Sequence, residues 1–461
     1  MKFSHFLTGT VKTHRFKSLH RFRFRIPYTF GLWILLCSIT TVTAKDFFLH
    51  DGDRVVFLGD SITEQRMYTN FIEAYALTRH PQWQLTFRNA GWAGDTAFFR
   101  SRCHPDGSRV VGVEEKDQAP MIDKMIRRSL GRDVLALKPT IVTIDFGMND
   151  VGVSPTADAY NAYVRCLTRM VTVLQENGAR TALLTPQPVE NKRPDPERDE
   201  KNLALRQFSD GLKEVAAKTG VPYVDQFNPY LQILRRERTT NPDKFIGGGR
   251  DGVHPGAIGH TLMAWAILKE LGATPLVSRA HFNYQSNTVV AAEACKIEHL
   301  KITDGSLAFD RLDEALPMPI HPNAEPALKL APVMEELNQY GLQIIGLPPG
   351  NYQLSIDGVP VVTMTAAEWA KGCNLASSAG PITQQGLELL KEIGVKNDIY
   401  FKRWRNVQLS QKNEWVPAPD VETRRAAELA RLDQQIAESE AKINQLRKPR
   451  SHRFELKALL P

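Results

Sequence analysis

Ser61 is the first residue whose type and position could do chemistry. It lies in the stretch FLGDSITE, residues 57–64, just after a glycine and at the end of a predicted strand. One interpretation is structural, since Ser61 and Glu64 match the capping box that opens many helices. The other is that Ser61 is a nucleophile. A serine hydroxyl needs a neighbouring base to accept its proton, so this second interpretation requires a base and donors for an oxyanion.

His254 is the candidate base, in the stretch GRDGVHPGAIGH, and Asp251 precedes it by three residues. An aspartate in this position can hold the imidazole in the right tautomer and stabilise its cation, as the third member of a triad does. The alternative for an isolated Asp-x-x-His is an exposed loop pair before a helix. His260 is a rival base, but it falls within the following helix and we expect it to be structural.

Three groups could donate to an oxyanion. Gly94, in NAGWAGDT, offers a backbone amide, Asn149, in DFGMND, offers a side-chain amide, and the Ser61 amide is the third donor. Taken singly, Gly94 fits a left-handed turn and Asn149 an Asx-turn. Together they follow three successive predicted strands in the order serine, glycine, asparagine, with Asp-x-x-His after them, and this order favours acyl transfer at a serine.

The elements that must position these groups alternate between strand and helix from residue 54 to about residue 272. Five short apolar runs predict strands, and helical stretches are predicted over 157–176, 202–219 and 255–271, the last with proline in its first turn. The five runs are RVVFLG, LTFRNAG, PTIVTIDFG, ARTALLTP and VPYVDQF. Buried strands separated by helices predict an α/β doubly wound domain, whose ligands bind at the carboxyl ends of the strands.

The blocks FLGDSITE, NAGWAGDT, GMND and DGVHP occur in this order, and on these motifs residues 53–272 resemble the GDSL, or SGNH, hydrolase family. The family's usual leucine after the nucleophile is replaced by Ile62. The resemblance implies a flavodoxin-like three-layer α/β/α fold with a five-stranded parallel sheet, and ester hydrolysis through an acyl-serine without metal or cofactor. It assigns catalysis to Ser61, Asp251 and His254, and the oxyanion hole to Ser61, Gly94 and Asn149. The family acts on many esters, so it does not name a substrate.

The predicted organisation has four parts: a leader at 1–44, the hydrolase domain at 45–278, a β-rich module at 279–380 and a helical tail at 381–461. The module contains strand formers broken by Pro-Gly and Asp-Gly turns. In the tail an apolar stripe predicts a helix packed along a neighbour or a short coiled coil. The stripe consists of Leu429, Leu432, Ile436, Ile443 and Leu446.

The leader predicts export to the periplasm or the extracellular space. A basic stretch precedes the apolar run FGLWILLCSI, and small residues end at Ala44. The run is shorter than the roughly 20 residues that span a bilayer, although an N-terminal anchor is the alternative. The leader carries seven basic and no acidic residues, which equals the formal net charge of +7 and leaves the rest of the chain neutral. The charge therefore gives no support to nucleic-acid binding or to a membrane-surface protein.

The cysteines left after cleavage are scattered and show no metal-ligand spacing, so no zinc site is predicted and buried free thiols are expected. They are Cys103, Cys166, Cys295 and Cys373. Disulfide pairing and oligomeric state are left open by the sequence.

The substrate expected from the sequence is a short-chain, acetyl, ester of an extracellular carbohydrate. Flat aromatic faces beside polar groups suit a polyol, and Trp92, Phe98, Phe99 and Arg100 follow the glycine block. Phe98 and Phe99 fit the hydrophobic core equally well. The glycine-rich loop NPDKFIGGGRDG is expected to move and shape access. The alternatives are a lysophospholipase or thioesterase, and a binding protein on the same scaffold.

Overall fold

The computed structural model describes residues 46–104, 106–152, 156–191, 195–242, 244–409 and 418–459. The predicted leader, including Cys37, lies outside these residues. The described residues belong to one compact unit. Across the described ranges, no helix combines the length and the apolar character needed to cross a membrane.

A five-stranded parallel sheet forms the centre of the first part, in the order β2-β1-β3-β4-β5. Its strands are β1 (Arg54–Gly59), β2 (Thr86–Gly91), β3 (Ile141–Asp145), β4 (Arg180–Leu184) and β5 (Tyr223–Val224). Apart from their first residues, β1, β3 and β4 are buried almost throughout, as expected for strands covered on both faces. The α/β class and the five-stranded parallel sheet predicted from the sequence are confirmed.

Helices cover the two faces of this sheet. They are α1 (Ser61–Glu64), α2 (Met67–Arg79), α3 (Glu115–Asp133), α4 (Ala157–Glu176), α5 (Glu200–Thr219), α6 (Phe227–Arg238) and α7 (Ala257–Glu270). Helix α2 packs on α7, while α3 packs on α4 and α4 on α5. The proline predicted in the first turn of the last helix, Pro255, instead precedes Gly256, which caps α7.

Two further sheets follow. One has the order β13-β10-β6-β7 and the other, antiparallel throughout, β12-β11-β14-β9-β8. Their strands are β6 (Leu276–Asn283), β7 (Thr288–Glu293), β8 (Cys295–Thr303), β9 (Ser306–Asp313), β10 (Gln339–Ile345), β11 (Asn351–Ile356), β12 (Val359–Thr365), β13 (Cys373–Asn374) and β14 (Ser451–Ala458). Short helices α8 (Ala327–Leu330), α9 (Val333–Leu337) and α10 (Ala366–Lys371) lie between strands. Both sheets contribute to one core, in which Phe309 packs on Phe282 and Phe454.

The C-terminal segment is helical as predicted through α11 (Pro381–Phe401), a π-helix at Lys402–Gln408 and α12 (Ala418–Leu446). Four of the five residues in the predicted stripe are buried, and α12 packs along α11. The chain then differs from the expected helical tail, because its last described residues form β14 between β11 and β9. On its other side α11 packs on α2, where Lys396 and Glu73 form a buried ion pair.

Candidate active site

Ser61, His254 and Asp251 form one hydrogen-bonded chain. Ser61 Oγ lies 2.9 Å from His254 Nε2, and His254 Nδ1 lies 2.7 Å from Asp251 Oδ2. The serine begins α1, directly beyond the end of β1, while the other two residues lie in the loop before α7. Residues 193 positions apart in the sequence are thus brought into direct contact. With Nδ1–H directed at the carboxylate, Nε2 is left as the acceptor for the serine proton.

Asp251 uses both carboxylate oxygens. Its Oδ1 accepts the backbone N–H groups of Val253 at 2.9 Å and His254 at 2.8 Å, while Oδ2 faces the imidazole. Burial alone would raise the pKa of Asp251, but these hydrogen bonds and the nearby imidazole outweigh it and lower the pKa to about 2. The carboxylate is therefore ionised throughout the neutral range and is available to stabilise an imidazolium.

Ser61 does not cap its helix. The N-cap is Asp60, whose Oδ1 accepts the Ile62 N–H at 2.9 Å. Glu64 does not return to the helix start either, because its Oε2 accepts the backbone N–H of Ala93 at 2.9 Å. The capping-box interpretation of Ser61 is wrong for this reason, and the hydroxyl of Ser61 is left for His254.

Gly59 allows the strand end and the helix start to approach closely. A Cβ at this position would lie 2.2 Å from Thr63 Oγ1 and 2.7 Å from the Asp145 carbonyl oxygen. Both distances are too short for a side chain, so only glycine fits between β3 and the helix that Ser61 begins. The requirement at Gly59 is therefore space.

Asn149 links the ends of three strands. Its Nδ2 donates to the Asp95 carbonyl oxygen at 2.9 Å and lies 3.5 Å from Asp60 Oδ2. Asp95 directly follows Gly94, and Asp60 directly precedes Ser61. The second contact is too long to be a strong hydrogen bond, so one N–H of Asn149 can turn towards an added acceptor. The side-chain amide is therefore held by the residues next to Gly94 and Ser61.

Gly94 has a φ of +71°, in the left-handed region that favours glycine. The loop that follows is fixed by buried Arg102, which pairs with Asp95. The same guanidinium donates to the carbonyl oxygens of Ala90 at 3.0 Å and Gly59 at 3.3 Å. The conformation at Gly94 is thus tied to the ends of β1 and β2, which is the preorganisation that an oxyanion donor needs.

Asp60 was not singled out by the sequence. Its side chain is buried, and burial, reinforced by the negative charge of Asp95, raises its pKa to about 7 against the opposing hydrogen bond from Ile62. A carboxyl that titrates near neutrality thus directly precedes Ser61. The only sequence signal for it was its place at the turn between β1 and α1.

Glu190 was also missed, and it holds the loop that carries the aspartate and histidine. Its buried Oε1 accepts Gly247 N–H at 2.8 Å and the Tyr230 hydroxyl at 2.9 Å, and its own N–H donates to Gly252 O at 2.7 Å. A Cβ at Gly247 would lie 2.0 Å from the Tyr230 oxygen. This loop, which the sequence suggested would move, is therefore closely packed and hydrogen-bonded at Gly247.

His260 lies in α7, fully buried and away from the serine hydroxyl. Its Nδ1 accepts the Tyr68 backbone N–H at 3.3 Å, and Nε2 lies 3.1 Å from Gln65 Oε1. Burial, together with the nearby His254, lowers its pKa to about 3. A neutral imidazole with a hydrogen bond at each ring nitrogen fits the structural role expected of His260.

The aromatic residues after the glycine block divide into two groups. Phe98 and Phe99 are buried in the core, where Phe99 packs edge-on against Phe146. Trp92 is half-buried and Arg100 is exposed, with Nη2 at 3.3 Å from the Gly94 carbonyl oxygen. The Trp92 ring is covered by the guanidinium of Arg405, so Arg100 is the one of these four residues that remains a candidate for contact with a polyol.

All four cysteines in the described part of the chain are free thiols, of which Cys103 and Cys166 are buried. Within the same residues, no group of three His, Cys, Asp or Glu side chains is arranged to hold a metal ion.

Comparison with known proteins matches residues 57–262 to the GDSL-like lipase/acylhydrolase family. An acetylxylan esterase of Geobacillus stearothermophilus is 26% identical over 234 residues, which cover 48% of this chain and 94% of that protein. A solved structure described as a gut microbial diltiazem-metabolizing enzyme is 25% identical, with a TM-score of 0.73, and the match covers 89% of this chain and 98% of that one. That similarity extends beyond the hydrolase part into the β sheets and the C-terminal segment.

The ordered sequence blocks, the 2-1-3-4-5 parallel sheet and the family match agree with one another. They also agree with the hydrogen-bonded chain of serine, histidine and aspartate. The protein is a carboxylic ester hydrolase, and residues 57–262 are its GDSL-like lipase/acylhydrolase domain.

Proposed function

We propose that the protein is an exported esterase that removes short acyl groups, in particular acetyl, from carbohydrate, with Ser61 as nucleophile. The observation that carries the mechanism is the hydrogen-bonded chain from Ser61 Oγ through His254 to Asp251. The acetyl preference is supported by the similarity to an acetylxylan esterase. Arg100 is exposed beside the glycine block and offers hydrogen-bond donors to a polyol.

In the acylation step His254 Nε2 takes the proton from Ser61 Oγ as the oxygen attacks the ester carbonyl carbon. The carbonyl oxygen becomes an oxyanion, to which the N–H groups of Ser61 and Gly94 and the Asn149 amide donate. When the intermediate collapses, the C–O bond to the sugar breaks and His254 gives its proton to the departing oxygen. Asp251 holds Nδ1–H and stabilises the imidazolium formed in between.

In the deacylation step water replaces the sugar. His254 takes a proton from the water as its oxygen attacks the acetyl carbonyl, and the same donors hold the oxyanion. Collapse of the second intermediate breaks the bond to Ser61 Oγ, which recovers its proton from His254. Acetic acid leaves and the enzyme returns to its starting state without any redox change or external cofactor.

The first test uses p-nitrophenyl acetate with Ser61→Ala and a matched control, Ser286→Ala, which changes an exposed serine in the turn between β6 and β7. Ser61→Ala should abolish turnover while unfolding at the temperature of the wild type, and Ser286→Ala should retain full activity. A serine-directed organophosphonate should label the wild type at Ser61 alone. Full activity in a folded Ser61→Ala protein would falsify the assignment of the nucleophile.

The second test addresses the substrate. We expect kcat/KM for acyl esters from two to sixteen carbons to be highest for the shortest chains, and acetate to be released from acetylated xylan. Turnover of diltiazem should be measured alongside, because the similar gut microbial enzyme metabolises it. If kcat/KM rises steadily with chain length and no acetylated glycan releases acetate, a lipid substrate replaces the carbohydrate.

A further inference from the structure

The C-terminal segment contacts the loop that carries Gly94. Within the π-helix at Lys402–Gln408, the guanidinium carbon of Arg405 lies 3.4 Å from the ring centroid of Trp92. Buried Trp404 meets the same ring edge-on, with centroids 5.9 Å apart. Trp92 is only two residues before Gly94. Arg405, more than 300 positions later in the chain, therefore covers the start of the loop that carries Gly94.

The same guanidinium also faces the helix that begins at Ser61. Arg405 Nη2 lies 3.7 Å from Oε2 of Glu64, the last residue of α1. That same Oε2 accepts the Ala93 N–H at 2.9 Å. Arg405, Glu64 and Ala93 thus form a continuous polar link from the C-terminal segment to the residue that precedes Gly94.

Arg66 makes a second connection on the nucleophile side. Its φ of +64° is uncommon for a residue other than glycine, and it lies just after α1. Its Nη1 donates to the Glu64 carbonyl oxygen at 2.7 Å, its Nε donates to Asp398 at 3.1 Å, and its guanidinium stacks on Phe401 at 4.4 Å. Both ends of Glu64, backbone and side chain, are therefore held by interactions with α11 and the π-helix.

Simple packing of the C-terminal segment does not require this arrangement. The buried pair of Lys396 with Glu73 already joins α11 to α2. Arg405 is different because its side chain is 19% exposed and lies against Trp92 and the carboxylate of Glu64. Burial, opposed by Glu64, lowers the pKa of Arg405, so holding the cation here is costly. π-Helical turns are rare, and they occur frequently at functional sites.

We propose that Arg405 is a positioning residue for ester hydrolysis, which stacks on Trp92 and holds Glu64 so that the Trp92–Gly94 loop presents its amide to the oxyanion. The proposal rests on the proposed function, in which Gly94 donates to the oxyanion. Arg405 does not contact the reacting atoms. It acts on the rate through the loop, and in this way the C-terminal segment becomes part of the catalytic apparatus.

The test compares Arg405→Ala with Arg403→Ala, a matched control. Arg403 lies in the same π-helix and pairs with Asp433 of α12, away from the loop. For p-nitrophenyl acetate, Arg405→Ala should lower kcat about 10- to 100-fold with little change in KM. The reason is that the weakened interaction is the hydrogen bond from Gly94 N–H to the oxyanion, which is made mainly in the transition state. Arg403→Ala should stay within twofold of the wild type. Phosphonylation of Ser61 by an organophosphonate should slow by a similar factor in Arg405→Ala.

Arg405→Lys is the second variant, in case alanine prevents folding. It keeps the charge and the aliphatic stem but lacks the flat guanidinium, so it should fold and still show a reduced kcat. A kcat for the folded Arg405 variants within twofold of Arg403→Ala overturns the proposal, as does an effect confined to KM. Activity remaining in Ser61→Ala would instead contradict the nucleophile assignment, so the two failures are distinguishable.

Discussion

Replacing Asp251 by asparagine separates the charge of the third triad member from its shape. In the native site Oδ1 accepts two backbone N–H groups and Oδ2 accepts from the His254 ring. Asparagine has one oxygen for these two tasks. If the oxygen keeps the backbone contacts, the NH₂ group faces Nδ1 and favours the wrong tautomer, in which Nε2 carries the proton.

The size of the effect follows from exposure. Unit charges about 4 Å apart interact by about 1 kcal/mol in water and about 4 kcal/mol at an effective dielectric constant near 20. The side chains of Asp251 and His254 are 55% and 38% exposed, so an intermediate value of about 2–3 kcal/mol is expected for the imidazolium. This corresponds to roughly 30- to 150-fold in rate, and the tautomer change adds to it. We expect kcat for Asp251→Asn to fall by roughly 10²–10³-fold.

The assay is kcat and KM for p-nitrophenyl acetate in Asp251→Asn, His254→Ala and the double variant, with thermal unfolding as the check on folding. His254→Ala should lose more than Asp251→Asn, and the double variant should be no worse than His254→Ala, because triad members act as a unit. A kcat for Asp251→Asn within threefold of the wild type would refute the role given to this carboxylate. A double variant with fully additive losses would refute the coupling.

Four further outcomes are expected. The pKa of Asp60 is raised from 3.8 to about 7 in the folded protein, so its favourable contribution to the free energy of unfolding is complete below about pH 4 and is lost as pH rises through 7. Asp60→Asn should therefore make the free energy of unfolding in urea less dependent on pH between about 5 and 8. Glu190→Ala leaves the Gly247 N–H and a tyrosine hydroxyl unpaired, and should lower both kcat and the unfolding temperature, with Glu190→Gln closer to the wild type. Activity of the wild type should rise from pH 5 to 8 in a stopped assay, since a histidine base must be neutral. N-terminal sequencing of protein from its native host should begin at or near Lys45, and an intact leader in a membrane fraction would favour the anchor.

Much of the central sheet could be predicted because its signals are local. Buried parallel strands are short apolar runs, and glycines mark the ends of β1 and β2. The helix over 157–176 was predicted at its observed bounds, and its start is fixed by the side chain of Thr156 as N-cap. Groups that follow parallel strands lie at one edge of the sheet, so Ser61, Gly94 and Asn149 could be placed together before any distance was known.

The start of α1 could not be assigned from the sequence alone. Asp60 and Ser61 are adjacent and both are good N-cap residues, so the local pattern allows two registers. The choice is made by contacts from elsewhere in the chain. Ser61 Oγ faces His254, and the carboxylate of Glu64 is taken by Ala93 and Arg405. A short-range pattern contains none of this information.

The same limit applies to β14. The stretch SHRFELKA alternates between buried and exposed side chains, but it is short and follows a long helix. Its partners are β11 and β9, which lie far earlier in the sequence. A strand whose pairing is entirely long-range gives only a weak local signal, and an expectation of continued helix was the natural result.

The position of β14 changes how the C-terminal segment should be understood. Phe454 and Leu456 are fully buried between β11 and β9, so this segment completes the core of the β sheets. On the way there, α11 and the π-helix pack against α2 and Trp92 of the hydrolase part. One continuous segment therefore joins the β sheets to the loop beside Ser61. It contributes a central strand to one part and, through Arg405, a contact with Trp92 in the loop that carries Gly94 to the other.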